Sequence, residues 1–229
     1  MKLLKHLPNT LTCLNLVAGC LGIVFVLEGN VVPAAYFVWA ACVFDFFDGF
    51  AARWLKVSSA IGKELDSLAD MVSFGVLPSI LMYTWLNSQT DNQWLPYTAF
   101  LIAVFSALRL AKFNIDTRQT TSFIGLPTPA NALFLTALPF LPTQVLAYVQ
   151  QPWFLVVIII VFSLLLVAEL ELFALKFKNF GRQGNELRFT FLLLAVLLII
   201  LIPKSSLPLI ILLYILLSLG KSWMQPRNT

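Results

Sequence analysis

Four aspartates lie close together in the otherwise apolar stretch DFFDGFAARWLKVSSAIGKELDSLAD, residues 45–70. Asp45 and Asp48 are three residues apart, and Asp66 and Asp70 are four apart, so on helices each pair projects from one face. Two carboxylate pairs that face each other in a low dielectric repel strongly unless cations neutralise them. Oxygen ligands favour hard divalent ions, and no histidine or cysteine is placed to bind zinc. The pattern therefore predicts bound Mg²⁺ or Mn²⁺, and a pair of such ions can stabilise a phosphoryl displacement.

The residues between the aspartates suit phosphate chemistry. Gly49 and Ala52 keep one helix face small, so that a phosphate, a nucleotide or another backbone can approach it. Arg53 offers a planar fork of N–H donors to phosphate oxygens, and Gly62 permits close approach where the next helix begins. The residue types alone leave two other interpretations open. Carboxylates on paired helices also form proton relays or structural ion pairs, here with Arg53 and Lys56.

The segments that carry these side chains are typical of an integral membrane protein. Of the 229 residues, 59% are hydrophobic and 11% are charged, whereas soluble domains have roughly 25% charged residues. We predict an all-α bundle of about eight transmembrane helices, six at minimum, because the last two apolar segments are short and meet at PKSSLP. The first segment is expected to be a retained span and not a cleaved signal peptide. The predicted spans cover residues 11–28, 32–52, 67–86, 95–115, 129–149, 152–175, 188–202 and 207–220.

Basic residues fall at alternate ends of the predicted spans, with Lys204 alone on the opposite side. The positive-inside bias therefore predicts that both termini and the aspartates face the cytoplasm, in the cytoplasmic (inner) membrane. This topology and the attraction to anionic membrane lipids explain the net charge of +4, so no nucleic-acid partner is expected. Cys13, Cys20 and Cys42 lack CxxC spacing and are interpreted as packing residues. Residues 1–229 are interpreted as a single membrane domain.

The aspartates and the residues between them, from residue 45 to residue 70, resemble a known family signature at every defined position. The signature is that of the CDP-alcohol phosphatidyltransferases, and here it reads Asp45-x2-Asp48-Gly49-x2-Ala52-Arg53-x8-Gly62-x3-Asp66-x3-Asp70. Four further segments are similar to one branch of the family, the bacterial and archaeal membrane-type phosphatidylserine synthases. They are LPNTLTCLNLVAG, SLADMVSFGVLPS, ALRLAKFN and FIGLPTPANA. The resemblance covers roughly residues 7–140.

The resemblance implies an activity and a role for each signature residue. The activity is transfer of the phosphatidyl group from CDP-diacylglycerol to the hydroxyl of L-serine, which gives phosphatidylserine and CMP. It implies Asp45, Asp48 and Asp66 as ligands of two Mg²⁺ or Mn²⁺ ions, with Asp70 as general base and a further metal ligand. It also implies a homodimer. The implied CDP-binding residues are Asp48, Gly49, Ala52, Arg53, Gly62 and Asp66.

The residues that select the acceptor are less strongly indicated. Arg109, Lys112 and Asn114 lie at the cytoplasmic end of the fourth predicted span, and Arg118 follows in the loop. Each can contact a carboxylate or a lipid phosphate, so we name these four as candidate acceptor-binding residues. The alternative is that they are solvated basic-loop residues that only set the topology.

Other polar residues within apolar segments have two interpretations. Asn9, Thr12 and Asn15 on the first span either face the nucleotide or cap and pack the helix. Glu169 and Glu171 have basic neighbours a few residues later, so structural ion pairs near the membrane interface are expected for them.

Two classes of alternative function remain. Within the same family the acceptor could be glycerol 3-phosphate, inositol, inositol phosphate or choline instead of serine. From a different class, the aspartates could bind a permeating cation in a transporter. A transporter would favour discontinuous helices and internal repeats, and the sequence has no visible repeat.

Overall fold

The first two helices form a hairpin that carries the first aspartate pair. In the computed structural model, α1 spans Leu7–Leu27 and α2 spans Val31–Leu55. The connection contains Gly29 at φ +83°, a conformation that glycine adopts without a steric penalty. The structure describes residues 3–57, 59–116, 122–173, 181 and 185–224.

The third helical stretch is the central element of the fold. α3 spans Ala60–Asp70, a π-helical turn follows at Met71–Val76, and α4 continues over Leu77–Asn87. The hydroxyl of Ser59 caps α3 by accepting a hydrogen bond from the amide of Gly62 at 3.0 Å. In this stretch 56% of the most apolar window is buried, against 28–39% in the other four long apolar helices. The second aspartate pair therefore lies on the most buried of these five long apolar helices.

Of the remaining helices, the next two along the chain contact this central stretch, and the last four contact those two or one another. A break after the 3₁₀ turn at Leu138–Phe140 bends the chain by 118°. Pro139 and Pro142 flank this break, and a proline removes a backbone donor and disfavours helix in the residue before it. The remaining helices are α5 (Phe100–Ile115, after a 3₁₀ turn at Leu95–Ala99), α6 (Thr128–Ala137, followed by a 3₁₀ turn at Leu138–Phe140), α7 (Thr143–Val149), α8 (Pro152–Val167), α9 (Glu186–Leu201, followed by a 3₁₀ turn at Pro203–Ser205) and α10 (Ser206–Met224).

Two short strands join the loop after α5 to the chain after α8. β1 (Ser122–Ile124) pairs antiparallel with β2 (Glu171–Phe173), with Phe123 opposite Leu172. The prediction that a helix continues to residue 175 is therefore wrong beyond α8. The physical reason is tertiary: the amides of Gly125 and Leu126 donate to the carbonyls of Leu170 and Leu165, at 3.0 and 2.8 Å, and draw the chain into a strand.

Judged by length and composition, fewer helices of the described residues could cross a membrane than the eight that the sequence predicts. Within the described ranges, five helices are long and apolar enough to cross a membrane, or six if α6 and α7 form one bent span. α8 is apolar but has 16 residues, and α9 also has 16. The predominantly helical fold, with apolar helices that could span a membrane, is thus confirmed apart from the short β1–β2 pair, and eight spans with cytoplasmic termini stay a prediction.

Candidate active site

Three of the four signature aspartates converge between α2 and α3. Carboxylate oxygens of Asp45, Asp48 and Asp66 all lie within 4.8 Å of one another. Asp70 lies beside this group and interacts electrostatically with Asp45 and Asp66. The prediction that the two pairs face each other is confirmed. We call these four residues the aspartate cluster.

The aspartate cluster fits a divalent cation by its chemistry. Its donors are carboxylate oxygens, which Mg²⁺ and Mn²⁺ prefer. Oδ1 of Asp66 is buried and has no hydrogen-bond donor among the residues that the structure describes. A buried anionic oxygen without a partner is costly, and a bound cation would remove that cost.

Helix α1 fixes two members of the aspartate cluster. The hydroxyl of Thr12 donates to Oδ2 of Asp48 at 2.6 Å, and the amide nitrogen of Asn15 donates to Oδ1 of Asp70 at 3.2 Å. Both donors are buried. The hydroxyl of Ser73, in the π-helical turn, donates to the backbone carbonyl of Asn15 at 2.9 Å. The sequence indicated only that these α1 side chains face the site or pack, and the structure makes them direct partners of the aspartates.

A cavity of about 540 Å³ opens next to Asp48 and Asp66, and we call it the nucleotide cavity. It brings together five of the six residues predicted to bind CDP. It also includes basic residues of the N-terminal segment and of α3 that were not predicted to bind CDP. Its lining consists of Lys5, His6, Pro8, Asn9, Thr12, Asp48, Gly49, Ala52, Val57, Ser59, Ile61, Gly62, Lys63 and Asp66.

Arg53 is the predicted CDP residue that does not line the nucleotide cavity. Its guanidinium lies along its own helix, so that a side-chain carbon added at Gly49 would be 3.5 Å from one terminal nitrogen. The glycine therefore leaves space for the arginine as well as for a ligand. The N-terminus of α3 is more crowded, because a carbon added at Gly62 would be 3.1 Å from Oδ1 of Asn9.

A second cavity, of about 330 Å³, lies between α5 and the end of α8, and we call it the α5–α8 cavity. Arg109 forms part of its wall and is only 7% exposed. The guanidinium stands 5.2 Å from the ring centroid of Phe113. Its strongest electrostatic interaction is with Asp70, and a weaker one is with Asp45. The lining is Arg109, Lys112, Ile115, Asp116, Ile124, Leu166, Val167 and Glu169.

The four candidate acceptor-binding residues are only partly brought together. Arg109 and Lys112 line the α5–α8 cavity. Asn114 does not line it. The side-chain amide nitrogen of Asn114 donates to the hydroxyl of Ser67 at 2.9 Å, and the backbone carbonyl of Asn114 accepts from the Lys63 ammonium at 2.7 Å. These bonds connect α5 to α3. Arg118 lies outside the described residues.

Comparison with known proteins places the chain in a family. The family model for CDP-alcohol phosphatidyltransferase matches residues 5–168, which include the aspartate cluster and both cavities apart from Glu169. The chain therefore belongs to the CDP-alcohol phosphatidyltransferase family, and the family prediction is confirmed.

Several curated relatives are named CDP-diacylglycerol–serine O-phosphatidyltransferase. The chain is 38% identical over 141 residues to the protein of that name from Bacillus subtilis, which is 60% of this chain and 77% of the relative. It is 34% identical over 177 residues to the one from Mycobacterium leprae, 74% of this chain and 58% of the relative. It is 37% identical over 129 residues to the one from Methanocaldococcus jannaschii, 56% of this chain and 58% of the relative. The alignments with the last two relatives thus span little more than half of their length.

Proposed function

We propose that the chain is a CDP-diacylglycerol–serine O-phosphatidyltransferase. The observation that carries this proposal is the aspartate cluster, three of whose carboxylates lie within 4.8 Å of one another beside a cavity lined by the family's signature residues. The names of the relatives support serine as the acceptor and CDP-diacylglycerol as the donor. Membership of a transferase family argues against the transporter interpretation.

In the proposed reaction, the serine hydroxyl attacks the phosphorus that carries the diacylglycerol. A new bond forms between that phosphorus and the serine oxygen, and the bond to the oxygen of CMP breaks. CMP leaves with the electron pair, and the serine proton passes to Asp70. A carboxylate is a suitable proton acceptor because it can remove the proton as attack proceeds. The hydrogen bond from Asn15 holds one oxygen of Asp70, so the other oxygen is available to the proton.

Asp45, Asp48 and Asp66 would hold the divalent ions, Mg²⁺ or Mn²⁺. When bound, such ions neutralise charge on a pyrophosphate and on the departing CMP. The protein contributes the orientation of these ligands. The Thr12 hydroxyl fixes one oxygen of Asp48, and α1, which packs against both α2 and α3, brings Asp66 to the same point.

The nucleotide cavity is the proposed CDP site. Gly49, Ala52 and Gly62 leave room for the ligand along two helix ends, and Lys5 and Lys63 place positive charge around it. Lysine binds phosphate as a point charge, so these two residues would attract the pyrophosphate without fixing its orientation. The acyl chains would stay in the bilayer, and only the headgroup would enter the protein.

The location and assembly of the enzyme are part of the proposal. We place the aspartate cluster at the cytoplasmic surface of the cytoplasmic membrane, where CDP-diacylglycerol and L-serine meet. The positive-inside distribution of basic residues supports this orientation. A homodimer is proposed from the family resemblance alone.

A panel of acceptors tests the proposal. Purified protein in detergent micelles with CDP-diacylglycerol and Mn²⁺ would be given L-serine, glycerol 3-phosphate, inositol, choline or no acceptor, and CMP release would be followed. We expect serine to give the fastest release, with phosphatidylserine as the lipid product. Release with serine no faster than with water would refute serine as acceptor, and faster release with another alcohol would identify the true one.

A further inference from the structure

We propose that the α5–α8 cavity binds the acceptor as a zwitterion, with Arg109 holding its carboxylate and Glu169 holding its ammonium group. This inference rests on the proposed function and extends it to the residues that recognise the amino acid. The cavity carries both signs of charge on different elements: Arg109 and Lys112 come from α5, whereas Glu169 follows the end of α8.

Arg109 is positioned to hold an anion at the inner end of the cavity. It is only 7% exposed, and its Nε atom is buried without a hydrogen-bond partner among the described residues. A buried guanidinium with an unsatisfied donor is costly, and its planar fork of donors matches a carboxylate. Its strongest electrostatic partner is Asp70. Arg109 therefore links the cavity electrostatically to the proposed proton acceptor.

Glu169 is held in the cavity wall by its backbone neighbours. The carbonyl of Leu170, the next residue, accepts a hydrogen bond from the amide of Gly125 at 3.0 Å, and β2 begins one residue later. Gly125 has φ +78°, and a side-chain carbon there would collide with the carbonyl of Leu166. The close approach of the two loops thus depends on that glycine. Glu169 reaches the cavity from a fixed backbone.

The mixture of charges favours an amino acid over the other acceptors of the family. A phosphate-bearing acceptor such as glycerol 3-phosphate could contact Arg109 and Lys112 but has no ammonium group for Glu169, which would then face a second negative charge. Choline has no carboxylate for Arg109, and inositol has no charge for either residue. Asp116 already interacts with another part of the protein, which leaves Glu169 as the partner of the ammonium group.

The test compares Glu169→Gln with Glu171→Gln in the full-length protein. Glu171 is an exposed residue two positions away on β2 and does not line the cavity, so it is a matched control. Two probes each lack one charge of serine: ethanolamine has no carboxylate, and 3-hydroxypropionate has no ammonium group. Their inhibition constants against serine, and the KM values for serine and CDP-diacylglycerol, would be measured by phosphatidylserine formation, because both probes carry a hydroxyl and transfer to a probe would also release CMP.

We expect Glu169→Gln to raise the KM for serine and the inhibition constant of ethanolamine by about tenfold, the loss expected for one charged hydrogen bond. The inhibition constant of 3-hydroxypropionate and the KM for CDP-diacylglycerol should stay unchanged, because neither ligand contacts Glu169. Equal shifts for both probes, no shift for serine, or the same shifts in Glu171→Gln would overturn the proposal.

Binding of serine separates this inference from the proposed function. Saturation-transfer NMR of serine with the wild-type protein and both variants requires no turnover. One outcome is that the wild-type protein shows a serine signal, the Glu169→Gln variant shows none, and the wild-type protein releases no CMP. The cavity assignment then holds and the proposed activity fails. If wild-type turnover with serine is normal and Glu169→Gln binds serine as well as wild type does, the activity holds and the cavity assignment fails.

Discussion

Each carboxylate of the aspartate cluster has its own hydrogen-bond environment. Asp48 is held by a hydroxyl, Asp70 is held by an amide, and Oδ1 of Asp66 has no donor among the described residues. These differences suit different tasks. A carboxylate oxygen without a donor is free to bind a cation, whereas one held by a neutral amide keeps its orientation while the second oxygen accepts a proton.

Replacing Asp70 by asparagine should abolish most turnover without unfolding the protein. The new side chain has the same shape and can still accept the hydrogen bond from Asn15, but its amide cannot take up the serine proton. Because general bases contribute about 10²–10⁴-fold to rate, we expect CMP formation to fall by at least about 100-fold. The KM for CDP-diacylglycerol and the thermal midpoint should change little. Full turnover in the variant would exclude Asp70 as the base.

Replacing Thr12 by valine should weaken metal binding through Asp48. The variant keeps the side-chain volume but removes the 2.6 Å hydrogen bond that orients the carboxylate. Loss of such a supporting bond costs about 10–100-fold in metal affinity, so the Mn²⁺ concentration for half-maximal thermal stabilisation should rise by that factor.

Thr10→Val is the matched control for this experiment. Thr10 lies on the same helix, is exposed, and donates to the carbonyl of His6 at 3.0 Å, away from the aspartates. Its metal dependence should equal that of wild type. An unchanged Mn²⁺ requirement in Thr12→Val, or equal shifts in both variants, would mean that Thr12 does not position Asp48.

At the scale of elements, α1 supports the site by lying very close to the π-helical turn that follows Asp70. A side-chain carbon added at Gly19 would collide with the hydroxyl of Ser73 and stand 3.0 Å from its backbone Cα. Small residues at helix contacts permit this kind of close approach in membranes. The π-helical turn inserts an extra residue into the helical repeat, and such turns are frequent at functional sites.

Gly19→Ala should therefore destabilise the fold near the site. Because the neighbour is partly backbone, relief of the clash requires a helix shift, and overpacking of this kind costs about 1–3 kcal/mol. We expect a lower thermal midpoint and slower CMP release. Gly220→Ala, on α10, is the control, since nothing lies within 4 Å of the added carbon. Equal stability of the two variants would show that α1 does not pack tightly on the turn.

The sequence predicted the chemistry of the site better than the shape of the elements around it. The spacings within the pairs Asp45–Asp48 and Asp66–Asp70 are local properties of helices, so the convergence of the pairs could be predicted once two adjacent spans were assumed. The π-helical turn and the early end of α8 could not be predicted in the same way. Both depend on contacts between residues far apart in sequence, such as Ser73 with Asn15 and Leu126 with Leu165.

For the proposed acceptor-binding residues too, local sequence predicted one residue, and contacts between distant segments decide the other. Arg109 was a candidate because a buried arginine in an apolar span is costly without a partner. Glu169 was expected to form a structural ion pair, because its basic neighbours in sequence were visible and its spatial neighbours were not. The pairing of β1 with β2 brings it towards α5. That pairing joins two loops about 50 residues apart, beyond the range of any periodic pattern.

At the scale of the whole molecule, the two ends of the bundle differ in composition. The end of the bundle that contains the aspartate cluster also carries Lys56 and Lys63. At the other end a cavity of about 260 Å³ joins Tyr36, Trp39 and Phe140 to Lys204. Aromatic residues of this kind concentrate at membrane interfaces. Along α2, residues 36–55 are 20 in number and extend about 30 Å, which is the thickness of the hydrocarbon core, and Lys56 follows directly.

Cysteine labelling tests the orientation that follows from this arrangement. In a variant with the native cysteines replaced by alanine, Lys204→Cys and Lys56→Cys would be introduced separately and treated in intact cells with a membrane-impermeant maleimide. Since the two positions lie at opposite ends and the basic end faces the cytoplasm, we expect labelling at position 204 before lysis and at position 56 only after lysis. The reverse pattern would place the aspartate cluster outside the cytoplasm, away from its proposed substrates. Labelling of both positions in intact cells would mean that they do not lie on opposite sides of one membrane.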